Sequence, residues 1–112
     1  MSSNWLLLFL GGVFETCFAV SLSRAQQTTG IVMWAWLTFF VIAVSLSMYL
    51  LYAAMGGKNP IPLGTAYAVW AGIGAVGSVV VGIVFLGEPA TFLRLLFLSL
   101  LIFSIIGIQL VE

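Results

Sequence analysis

The sequence predicts an all-α fold, a four-transmembrane-helix bundle forming one domain over residues 1–112, and three features point to it. Of 112 residues, 63% are hydrophobic and only 5% are charged, where a soluble domain carries about 25% charged residues. Apolar runs fall at about 4–24, 31–54, 64–86 and 91–111, each reaching the ~20 residues that a helix needs to cross a ~30 Å hydrocarbon core. The segments between them are short and polar or helix-breaking: Arg24-Ala25-Gln26-Gln27-Thr28-Thr29-Gly30, then Gly56-Gly57-Lys58-Asn59-Pro60, then Gly87-Glu88-Pro89-Ala90. Short connections make successive helices antiparallel neighbours, which gives an up-down-up-down arrangement with no room for a soluble domain.

The first span carries the most informative residue. Glu15 interrupts an apolar run from Trp5 to Leu22. Ten residues of helix from Trp5 rise about 15 Å, which places the carboxylate near the middle of the bilayer. An acid at that depth is costly unless it neutralises, pairs or faces water, so it marks a functional site. Met1-Ser2-Ser3-Asn4 has no basic residue of the kind that opens a signal peptide, so the segment is expected to be retained. On a helix, Glu15 shares its face with Gly11, Gly12, Phe18, Ala19 and Leu22. The small residues leave space beside the acid and Phe18 supplies an aromatic wall, a setting suited to a cation. The two glycines also fit a plainer role, the close approach of a neighbouring helix.

The second span offers Ser45 and Ser47. A hydroxyl in such a helix commonly bonds back to the carbonyl four residues earlier. Ser47 stands out because the returning chain brings it near the level of Glu15. In the third span, Gly64, Ala68 and Gly72 repeat at intervals of four residues as a stripe for close helix packing. Gly72 and Gly74 bracket one residue in mid-span, where a helix bends easily. Tyr67 and Trp70 share a face; they fit an interfacial aromatic belt or a site wall, and Trp70 lies several turns in from Pro62. The fourth span is apolar apart from Ser99, Ser104 and Gln109. Ser104 and Gly107 can form a packing surface, and the helix is expected to serve assembly.

Composition excludes much else. There is no His and one Cys, Cys17, so a Cys/His metal site and an internal disulfide are ruled out by count, and no cofactor is expected. No nucleophile is paired with a base, which argues against an enzyme. Zero net charge and the absence of basic clusters argue against nucleic acid. Arg24 and Arg94 flank one side of the membrane and Lys58 the other, a charge bias too small to fix orientation. Four helices hold a packed seam but not a solute-sized polar pathway, so an oligomer is expected.

Taken together, the membrane-embedded Glu15, Ser47, the four spans and the segment Gly64-Thr65-Ala66-Tyr67-Ala68-Val69-Trp70-Ala71-Gly72-Ile73-Gly74-Ala75-Val76-Gly77 resemble the small multidrug resistance family of proton-coupled exporters. The resemblance covers nearly the whole chain and is nearest to the guanidinium-exporter subtype. The lipophilic-cation subtype usually has Tyr where this chain has Val44. The resemblance implies a multi-pass protein of the bacterial inner membrane that assembles as an antiparallel dimer. It implies that Glu15 is shared by proton and cation, and that Phe18, Ser47, Tyr67 and Trp70 line the site. Of these, Ser47, Tyr67 and Trp70 would hold the carboxylate by hydrogen bonds, and Gly72 and Gly74 would form the hinge of alternating access.

Three positions depart from that pattern. The guanidinium subtype usually has Trp at Phe18 and Lys at Ser23, and its second loop is shorter than residues 54–61 of this chain. Such changes suit one subunit of a paired heterodimer with a second small four-span protein, and homodimer and heterodimer both stay open. The expected function is proton-driven export of small guanidinium-type cations. The alternatives are export of lipophilic or quaternary ammonium cations, and a non-transporting partner subunit.

Overall fold

The computed structural model describes residues 3–111; Met1, Ser2 and Glu112 lie outside them, and with Met1 and Ser2 half of the amino-terminal tetrapeptide discussed above. The chain forms α1 (Ser3–Gln26), α2 (Gly30–Ala54), α3 (Leu63–Phe85) and α4 (Phe92–Val111), each matching an expected span to within two residues. All four are long and apolar enough to cross a membrane. Helices are what such a sequence must form in lipid, because a helix satisfies its backbone polar groups within its own segment.

The helices are not arranged as a closed square. α1 packs against both α2 and α3, α4 packs on α3 alone, and α2 barely reaches α3. The extents of 46 × 34 × 19 Å describe a correspondingly flattened molecule. Its buried apolar core joins Leu8 of α1, Leu51 and Ala54 of α2, Ile61, and Ala66, Val69 and Trp70 of α3. The core therefore gathers where α1 begins and α2 ends. No residue of α4 is buried.

Polar contacts hold the two ends of this array. The amide of Asn4, itself buried, donates to the carbonyls of Ala54 at 2.8 Å and Gly56 at 2.7 Å. The Ile61 N–H reaches the same Ala54 carbonyl at 3.2 Å, closing the α2–α3 connection. At the other end, Gly87 adopts φ 71°, a left-handed conformation that suits glycine. That turn lets the N–H groups of both Leu86 and Glu88 reach the Gly82 carbonyl. Arg94 then pairs with Glu88 at 3.0 Å and donates to the Pro89 carbonyl at 3.0 Å. Thr91 caps α4, its hydroxyl accepting from the Arg94 N–H at 3.2 Å.

Candidate functional site

The site grows from the seam between α1 and α3. Gly11 and Gly12 of α1 are buried, and neither leaves the vacant space expected beside Glu15. A Cβ on Gly11 would meet Trp70 Cδ1 at 3.2 Å, and one on Gly12 would run into Ile73. Both glycines thus serve close approach of α3, the plainer of their two roles. The same closeness holds one turn further on: the Glu15 carboxylate occupies the place that a Cβ on Gly74 would take. Oε1 of Glu15 is buried and has no hydrogen-bond partner among the described residues. The acid therefore faces the neighbouring helix rather than lipid.

The two serines of α2 part company. Ser45 is exposed and bonds back to the Val41 carbonyl at 2.7 Å. Ser47 is fully buried and crosses to α1, donating to the Gly11 carbonyl at 2.7 Å. Trp70 Nε1 donates in turn to the Ser47 hydroxyl at 2.9 Å. This relay links three helices one turn from Glu15, towards the start of α1. The hydrogen bonds anticipated from Ser47 and Trp70 to Glu15 are here spent on each other and on the backbone. Trp70 is 4% exposed, so it is a buried anchor and not part of an interfacial belt.

Tyr67 is 56% exposed, and its ring lies 5.5 Å from that of Trp70 with a 40° tilt. Phe18 packs edge-on against Phe40 of α2 at 5.9 Å. Gly72 seats Ile105 of α4, and α3 is helical throughout Gly72–Gly74. Gly64 and Ala68 are exposed, as is Ser104, and among the described residues nothing lies near a Cβ built on Gly64 or Gly107. An apolar hollow of about 500 Å³ opens on the next face of α1, lined by Thr16, Cys17, Trp36, Phe39 and Phe85 among others.

Two residues were not singled out from sequence. Thr16 bonds across to the Gly74 carbonyl at 3.2 Å, and Asn4 secures the end of α1. The signal for Thr16 was its place beside Glu15, opposite glycines at 74 and 77; a lone Asn near a span end carries no such pointer.

The chain matches the family model described as "Small Multidrug Resistance protein" over residues 3–101. It is 42% identical over 110 residues to a guanidinium exporter of Proteus vulgaris, covering 96% of this chain and 97% of that protein. It is 43% identical over 107 residues to a guanidinium exporter of Escherichia coli (strain K12), covering 96% of each. A Bacillus licheniformis protein named "Probable guanidinium efflux system subunit GdnD" is 35% identical over 109 residues, covering 97% of this chain and 99% of that protein.

Proposed function

The chain belongs to the small multidrug resistance family, and from that membership and the setting of Glu15 we propose that it is a proton-coupled exporter of guanidinium and substituted guanidines. It is a multi-pass inner-membrane transport protein and not an enzyme. The observation that carries the finer reading is the buried Glu15 Oε1 with no partner among the described residues. A carboxylate oxygen in that position is costly until a proton or a donor-bearing cation relieves it. A guanidinium group offers paired N–H donors that match a carboxylate in a two-point fork. Its flat face suits stacking against the exposed ring of Tyr67.

Coupling follows from competition. Proton and cation need the same carboxylate, so they do not occupy it together. If the protein reorients only when loaded, an inward proton gradient drives the cation outward, the bias coming from the exclusive binding. Bending at Gly72 and Gly74 is the reorienting step. The test is guanidinium-driven proton movement in proteoliposomes. Wild type should show it and Glu15→Gln should not; coupled movement that survives the substitution would remove the proposal.

Assembly completes the site. A flattened chain with no buried residue on α4 leaves a pathway without walls, and a second copy in the opposite orientation supplies them. Gly64 and Ala68 on α3, with Ser104 and Gly107 on α4, are the surfaces offered. The subunit name of the Bacillus relative supports a heterodimer with a second small four-span protein, in which this chain serves as an active or a non-transporting half. Crosslinking of the protein purified with and without its genomic neighbours distinguishes that pairing from a homodimer.

A second reading, export of quaternary ammonium cations, is favoured by Phe18. Its ring packs on Phe40 of α2, an apolar pairing with no hydrogen-bond donor, three residues along α1 from the acid.

A further inference from the structure

Thr16 follows Glu15 on α1 and engages the same stretch of α3. Its side chain fills the place of a Cβ on Gly77, as the Glu15 carboxylate fills that on Gly74. Neighbouring residues diverge by about 100° around a helix, so both touch one partner only when it lies in the angle between them. Gly74 and Gly77 are three residues apart and share a face of α3, which makes a double seat for two consecutive side chains. The Thr16 hydroxyl lies 3.2 Å from the Gly74 carbonyl and 3.5 Å from its own Gly12 carbonyl. The intrahelical contact is at the limit of hydrogen-bond length, and the crossing contact is the shorter. Ser78 donates to that same Gly74 carbonyl at 2.8 Å.

We infer that Thr16 is a positioning residue for Glu15: its hydroxyl ties α1 to the Gly74 carbonyl and so fixes the rotation of α1 that keeps the carboxylate seated over Gly74. The lever is short and sensitive. A side-chain tip about 6 Å from the helix axis moves about 2 Å when the helix turns by about 20°. That is enough to lift the carboxylate from the glycine. The geometric statement stands alone; its meaning for transport rests on Glu15 being the shared proton and cation site.

Three variants separate the hydroxyl from the bulk around it. Thr16→Val keeps the shape that fills the Gly77 notch and removes the hydroxyl. Thr16→Ser keeps the hydroxyl and removes the methyl. Thr16→Ala removes both and serves as the reference for full loss. Reactivity of Glu15 towards a lipid-soluble carbodiimide, read by peptide mass spectrometry on membrane-embedded protein, needs no transported substrate. Thr16→Val should label about threefold to tenfold faster than wild type, the factor expected when one interhelical hydrogen bond is lost. Thr16→Ser should label as wild type does. In proteoliposomes, Thr16→Val should raise the guanidinium KM by a similar factor with kcat little changed. Equal labelling of Thr16→Val and wild type overturns the proposal, as does Thr16→Ser behaving like Thr16→Val. A wild type that moves no guanidinium defeats the substrate reading alone, since the labelling comparison still decides the role of Thr16.

Discussion

The carboxylate of Glu15 occupies the space where a side chain on Gly74 would begin. An acid near the middle of the membrane is thus held by the absence of a methyl group on the facing helix. The carboxylate and the glycine form one fitted pair, and neither position can be altered without disturbing the other.

Gly74→Ala should therefore be severe. The new methyl collides with the carboxylate, and overpacking of this kind costs about 1–3 kcal/mol. Transport should fall to background in proteoliposomes, with a lowered thermal midpoint in detergent. Gly64→Ala is the control: its Cβ meets open space among the described residues, so a loss of transport there points to a contact with a second chain.

Ser47→Ala breaks the relay from Trp70 to the Gly11 carbonyl and leaves a buried indole N–H without an acceptor. The expected loss is about 1–3 kcal/mol. Trp70→Phe removes the stranded donor as well, so the double variant should lose less than the sum of the two single ones. A double-mutant cycle on thermal stability measures that difference.

Asn4→Ala should cost about 1–3 kcal/mol by removing the donor to two carbonyls. Asn4→Asp should cost more, because an acceptor then faces the Ala54 and Gly56 oxygens. The order wild type, Ala, Asp in detergent melting temperature is the outcome to look for.

Glu88→Gln should change stability by less than about 1 kcal/mol, since the Arg94–Glu88 side chains are 33% and 45% exposed. Gly82→Ala should cost more than that, because its Cβ would displace the Glu88 carboxylate from the end of α3. Comparing the two by thermal unfolding separates the packing of the turn from its charge pairing.

Substrate selectivity gives a further check. Replacing Phe18 with Trp adds an indole N–H three residues along α1 from the acid; protection against guanidinium in growth assays should improve relative to a quaternary ammonium compound. An unchanged ratio would show that this wall does not set selectivity.

The spans were legible because crossing a bilayer demands a length of apolar chain that little else produces. Glu15 was legible because a charge there has no cheap explanation. Pairings between helices were not. Ser45 and Ser47 are the same residue two positions apart, and only the rotation of α2 sends one to its own backbone and the other to Gly11. Gly11 and Gly12 suggested room beside the acid, yet α3 comes close enough to fill it with Trp70 and Ile73. The position of Trp70 was half visible: its depth argued against a belt, but its partner belongs to a different helix. Thr16 and Asn4 went unremarked because each acts through a backbone carbonyl, and a carbonyl leaves no mark in a sequence.

The Asn4 amide finds its acceptors some fifty residues downstream, with Ala54 at a separation of 50 positions. When the ribosome has delivered only the first span, that amide has nothing of its own chain to bind. The start of α1 is therefore pinned only once α2 has returned across the bilayer and brought the Ala54 and Gly56 carbonyls beside it.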